Sequence, residues 1–178
     1  MEYRRANISQ AIGEYDDALV LFKKSINIFE KYIDVNNINK PSDSDESDYL
    51  LQAYCNCLQS IAVCYLGKGD KNNGLKSALY ATDKFIKYFG KQDDAYLWKL
   101  SLLSDAYADC GDYAKASIVL DEWRELETKY LEDYERKSML FRKCAELAEL
   151  QDHQQDALKY YNMANHECPV ISSTIATG

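Results

Sequence analysis

Three observations predict an all-α fold, an α-solenoid of stacked antiparallel helix pairs. Helix breakers are scarce: the 178 residues include seven glycines and two prolines, too few for a many-turned β fold. Apolar residues recur three and four positions apart through most of the chain, the period of one helix face. One plan (an apolar helix, a short polar turn, a second amphipathic helix) occurs four times, so the chain reads as a repeat.

The four turns are Gly13-Glu14-Tyr15, Gly69-Asp70-Lys71, Gly111-Asp112-Tyr113 and Asp152-His153-Gln154. A small residue follows each at a fixed offset: Ala18, Gly74, Ala116 and Ala157, separated by 56, 42 and 41 residues. Residues 34–47, DVNNINKPSDSDES, explain the long first interval as a polar, mobile linker inserted between the first two units. Removing it restores a period of about 42. In the first unit Ala18, Leu19, Leu21, Phe22, Ile26, Ile28, Phe29 and Ile33 are expected on one helix face. Leu58, Ile61, Ala62 and Tyr65 repeat it, as do Leu100, Leu103, Ser104 and Tyr107. Helices are expected over 2–12, 15–33, 48–67, 71–89, 93–110, 113–129, 132–150 and 153–166. They group into units at 1–33, 48–90, 92–130 and 132–168 of one domain, 1–168, with a loose tail 169–178 after Pro169. A lone pair this small cannot bury its apolar stripe, so each unit depends on stacking against its neighbours. The turn glycine takes a left-handed, helix-ending conformation, and the small residue lets the two helices approach.

Apolar residues make up 47% and charged residues 28% of the chain, an ordinary globular balance. The net charge of -8 argues against nucleic acid as a partner, because phosphate recognition needs clustered Lys and Arg. No run approaches the roughly 18 apolar residues of a membrane span, and the N-terminal MEYRRANISQ lacks the apolar core of a signal peptide. A cytoplasmic protein is expected, with Cys55, Cys57, Cys64, Cys110, Cys144 and Cys168 as free thiols, five of them in apolar helical patterns.

The joint register resembles the tetratricopeptide repeat (TPR) superfamily, in its long-helix variety of about 42 residues, similar to kinesin light chains and bacterial peptide-sensing regulators. The first unit supplies Ala6, Gly13, Tyr15, Ala18, Phe22 and Ser25; the second, Leu58, Ile61, Ala62, Tyr65, Gly69 and Ala81. The third supplies Leu103, Ser104, Tyr107, Gly111, Tyr113, Ala116 and Leu120; the fourth, Phe141, Ala145, Ala157, Tyr161, Ala164 and Pro169. Four positions depart from the pattern: Gly74 for Ala, Ala78 for an aromatic, Trp123 for a small residue and Asp152 for Gly. The resemblance implies a right-handed solenoid whose first helices line a concave groove.

No catalytic constellation is present, so no enzyme activity, cofactor or metal is expected. His153 falls in a turn and His166 at a helix end. Cys55 and Cys57 point about 200° apart on a helix and cannot chelate together. Acidic pairs such as Asp93-Asp94 and Glu132-Asp133 sit at helix starts, where the helix dipole favours negative charge.

In the family register the groove residues would be Tyr3, Asn7 and Gln10, then Asn56, Gln59 and Val63, then Trp98, Ser101 and Asp105, and finally Arg142, Glu146 and Glu149. The amides suit an extended peptide backbone, Trp98 is a hot-spot residue type, and the carboxylates favour a basic segment. The carboxylate clamp of co-chaperone TPR domains is not expected: Tyr3 stands where its Lys would precede Asn7, and Leu102 and Leu103 occupy the place of its basic pair. The expected function is a scaffold that binds a protein or peptide. The alternative is a peptide-sensing or regulatory domain excised from a larger signalling protein or transcription regulator, suggested by the first helix starting at Met1 without a capping helix.

Overall fold

The computed structural model describes residues 2–35, 38, 45–127 and 134–167. Among them are eight α-helices and no strand. They are α1 (Glu2–Ala11), α2 (Tyr15–Val35), α3 (Asp45–Gly67), α4 (Lys71–Phe89), α5 (Ala95–Asp109), α6 (Tyr113–Glu127), α7 (Tyr134–Leu150) and α8 (Gln154–Glu167). Most of the expected linker, with Pro41, lies outside the described residues, as do Glu132-Asp133, Cys168 and the tail from Pro169. Two ends of the expected linker are helical: α2 continues to Val35 and α3 starts at Asp45. An acidic stretch is at home in the first turn of a helix, facing its positive dipole end.

All four turns close identically. Gly13 N–H donates to Gln10 and Glu14 N–H to Ser9, at 3.1 and 2.8 Å. The same two bonds recur as Gly69 to Leu66 and Asp70 to Tyr65, Gly111 to Ala108 and Asp112 to Tyr107, and Asp152 to Glu149 and His153 to Ala148, all within 2.8–3.0 Å. This is the Schellman arrangement, which satisfies carbonyls orphaned at a helix end. It requires a positive φ, found at 83° for Gly13, 78° for Gly69 and 77° for Gly111. Asp152 adopts φ 58° and is the one non-glycine residue with positive φ among those described. Its short polar side chain tolerates the left-handed region better than a bulky one would.

The chain divides into two compact units, Met1–Asp112 and Tyr113–Gly178. In the first, α1, α3 and α5 are successive neighbours, and α2 and α4 pack behind them. Its core joins Leu19, Phe22 and Ile26 of α2 to Leu51, Tyr54 and Leu58 of α3, and Phe85 of α4 to Tyr96, Leu97 and Leu100 of α5. The Phe85 and Tyr96 rings stack with centroids 6.4 Å apart, and Tyr54 meets Tyr88 edge-on at 6.2 Å. Each such side chain contributes about 1.5–3 kcal/mol when fully buried. The Tyr54 hydroxyl donates to Glu30 Oε1 at 2.9 Å, tying α3 to α2.

The departures at Gly74 and Trp123 have structural causes. A Cβ on Gly74 would lie 2.4 Å from Leu66 Cδ2, so the branch of Leu66 occupies the space an alanine methyl would take. In the second unit Trp123 is fully buried, like its repeat equivalents Ser25, Ala81 and Ala164. Its indole N–H donates to Glu127 Oε2 at 3.1 Å, and Glu127 in turn faces Arg136 of α7 at 3.8 Å. A large aromatic can fill this small-residue site because its polar edge has a partner. No described helix is long and apolar enough to cross a membrane.

Candidate functional site

The nine expected groove residues of the first unit fall on three stripes. Asn56, Gln59 and Val63 on α3, and Trp98, Ser101 and Asp105 on α5, are spaced i, i+3, i+7. Tyr3, Asn7 and Gln10 on α1 are spaced i, i+4, i+7. Both spacings keep side chains on one helix face. All nine are exposed or half-buried, and Trp98 is 51% exposed, an unusual amount for so large a ring. Tyr3 is partly committed to the core, its ring 6.3 Å from that of Phe22.

A residue that the sequence reading passed over organises the middle of this face. Lys99 of α5 is only 3% exposed. Its Nζ lies 3.5 Å from Asn56 Oδ1 on α3, donates to Gln59 Oε1, and sits 5.1 Å from the centre of the Phe85 ring. A lysine only donates, so the carbonyl oxygens of both amides turn towards it and their NH2 groups remain to donate elsewhere. Burial pulls the Lys99 ammonium down to about 8, against an opposing pull from Cys55 and Asp93. Sequence did hold a signal for it. Tyr96, Lys99, Leu103 and Ala106 lie at helical spacing, and all four are buried.

The remaining three expected residues, Arg142, Glu146 and Glu149, lie on α7 in the second unit, again at i, i+4, i+7, and all are exposed. The carboxylates already have local partners. Glu149 Oε2 accepts from the Tyr161 hydroxyl at 3.1 Å, and Glu146 pairs with Lys143 at 3.4 Å.

The cysteines divide by burial. Cys55, Cys57, Cys64 and Cys144 are buried free thiols, whereas Cys110 is exposed at the end of α5 rather than inside an apolar pattern. Burial pushes Cys55 up to about 11, Cys57 to about 12 and Cys64 to about 11, which leaves these three unreactive near neutrality. His153 is exposed at the start of α8 and His166 is exposed in its last turn. Among the described residues no group of three His, Cys, Asp or Glu side chains is placed to hold a metal ion.

Helix pairs joined by identical Schellman turns, with the buried small residues Ala18, Gly74 and Ala157 following the turns within the two units, define a helical-repeat protein of TPR-like fold. Solved structures bear this out. Nearly identical TPR-like repeats assigned to a kinesin light chain of Podosopora anserina match with a TM-score of 0.58 and 14% identity, over 93% of this chain and 92% of that one. A single-substitution variant of the same repeats matches at 0.59 over the same shares. No protein-family profile and no curated protein matches the chain.

Proposed function

We propose that this protein is an interaction scaffold whose first unit binds a peptide or protein segment along the face of α1, α3 and α5, and whose second unit carries a separate acidic patch on α7. One observation carries the reading. Lys99 holds Asn56 and Gln59 of α3 by their oxygens, which leaves their N–H donors for a partner, and the preceding residue of α5, Trp98, is exposed. Held side chains bind at lower entropic cost than free ones. Donors and an aromatic platform suit the carbonyl oxygens of an extended segment and one apolar side chain of it. On α7, Glu146 and Glu149 favour a partner with basic residues. Neither patch offers the set of groups that catalysis needs.

Quantitative mass spectrometry of proteins recovered with the wild-type chain, Trp98→Ala and a Gln59→Ala/Asn56→Ala pair tests this. A shared set of partners depleted about tenfold or more by both variants is expected, as for loss of a hot spot. Equal recovery by all three would remove the first-helix face from consideration.

A further inference from the structure

A second surface of the first unit carries an inference of its own. The second helices α2 and α4 flank a cleft of about 700 Å³ whose floor is α3. Among the described residues no Cα of α2 lies within 8 Å of one of α4, so the two helices leave a gap over α3. Leu58 and Ile61 of α3 form its floor and Ile26 of α2 lies at the edge of that floor, all under 10% exposed. Leu79 and Tyr80 form one wall, 42% and 45% exposed. The α4 side runs from Asn73 to Asp83, roughly 15 Å of helix.

Shape and charge together specify an occupant. A volume of about 700 Å³ along that length leaves a cross-section on the order of 50 Å². That is too narrow for a whole helix, about 10 Å across, but it accepts one row of its side chains. A groove between two helices is the surface into which the ridge of a third helix packs. The rim is basic although the chain carries a net charge of -8. Lys23 and Lys76 line it, with Asp83 at the far end. Lys23 reaches the Tyr65 hydroxyl at 3.0 Å and lies 5.5 Å from the centre of its ring, so neither contact neutralises its charge.

The equivalent cleft of the second unit, between α6 and α8 over α7, shows that the repeat alone does not create this surface. It measures about 300 Å³ and is lined by Asp121, Arg124, Gln151 and Asp156. Arg124 occupies the repeat position of Ile26, and Asp121 that of Lys23.

We propose that the α2–α4 cleft docks an amphipathic helix of another protein, its apolar ridge lying over Ile26, Ile61 and Leu79 and its flanking carboxylates meeting Lys23 and Lys76. This is independent of the first-helix face, since none of its residues is shared. The probe is a fluorescein-labelled helical peptide of about 16 residues, with leucines three and four apart on one face and glutamates beside them. Its anisotropy is followed with the full chain. Saturable binding is expected. Leu79→Asp, at a position 42% exposed in the free chain, should weaken it about tenfold, the scale of one buried leucine anchor, with the helicity of the variant checked by circular dichroism. Lys23→Glu/Lys76→Glu should weaken it about fivefold, and a probe with lysine in place of glutamate should recover binding to that double variant. Trp98→Ala should change nothing here, which separates this site from the first-helix face. Absence of saturable binding, indifference to Leu79→Asp, or equal binding of a proline-broken, non-helical probe would overturn the proposal. So would concentration-dependent dimerisation of the unliganded chain that Leu79→Asp abolishes, since the cleft would then serve a second copy.

Discussion

The two clefts between successive second helices share a register and differ in chemistry. In the first unit the positions following the turn hold Lys23 and Ile26 on α2, over Ile61 and Tyr65 on α3. In the second they hold Asp121 and Arg124 on α6, over Cys144 and Ala148 on α7. Arg124 Nη1 donates to Asp121 at 2.7 Å and Nη2 to Cys144 Sγ at 3.5 Å, so the guanidinium bridges the positions that are lysine and isoleucine in the first unit. The backbone frame, fixed by the Schellman turns, permits either solution. Side-chain identity at a few positions decides whether a cleft stays apolar and open or closes with a local charge network. The units also bury charge differently. Lys99 is a cation held by neutral amides, whereas Glu127 and Arg136 of the second unit are a pair of opposite charges.

Transplanting one residue is the strongest way to break this comparison. Ile26→Arg places a guanidinium where Arg124 sits, but its partners there would be Lys23 and Ile61 instead of Asp121 and Cys144. A loss of about 3 kcal/mol is expected in urea unfolding, the cost of a buried charge without a counter-ion. A loss below ~1 kcal/mol would show that the first cleft accepts the polar solution as readily as the second.

Lys99→Met sharpens the contrast in buried charge. The folded pKa of Lys99 is lowered to about 8 from 10.5. Between those values the unfolded chain holds the proton and the folded chain does not, so this group's contribution to stability rises with pH across that window. At pH 7 the buried ammonium therefore costs stability, and Lys99→Met is expected to stabilise the protein by about 2 kcal/mol. The advantage should shrink as pH climbs from 8 to above 10. Thermal unfolding at pH 7 and pH 9.5 reads both; a gain that is the same at the two pH values would contradict the assignment. The same substitution should reduce binding at the first-helix face, because Asn56 and Gln59 would no longer be held.

Two smaller effects compare the turns. Gly74→Ala gains roughly 1 kcal/mol in helix propensity, but the new methyl meets Leu66. A net loss of about 1 kcal/mol is expected, and Gly74→Ala with Leu66→Ala should recover part of it. Asp152→Gly relieves the positive φ of the fourth turn and should stabilise by about 0.5 kcal/mol, as should the matching Asn to a lesser degree. The reverse exchange, Gly111→Asp, should cost a comparable amount.

Most of the fold was legible because its signals are local. Gly13, Gly69 and Gly111 announce a left-handed turn, Ala18 and Ala157 announce a close helix approach, and apolar spacing announces the helices between them. Even Asp152 was readable by its place in the register, although its residue type departs from the pattern. Boundaries shifted by two or three residues where an acidic run served either as linker or as first turn, at Asp45 and at Asp93. Asp93 Oδ1 accepts the Ala95 N–H at 2.8 Å and so ends the loop two residues into the expected helix. The candidate site was less legible. Its stripes on α1, α3 and α5 follow from periodicity, and Trp98 is 51% exposed. Lys99 was missed because a lysine beside a tryptophan reads as the polar face of the helix, and only the amides brought opposite it from α3 make its burial tolerable.

What the sequence determined by itself is the repeat: four turns, eight helices and the small residues between them, all set by interactions a few positions apart along the chain. The tertiary structure alone decided three things. It placed Lys99 against Asn56 and Gln59, it gave Leu66 the space that makes residue 74 glycine, and it set α2 and α4 apart so that an apolar floor faces outward in one unit while Arg124 fills the same place in the other. Each depends on which side chains face each other across a helix interface, from eight positions away for Leu66 and residue 74 to about forty for Lys99 and its amides, and that is settled by packing rather than by local preference.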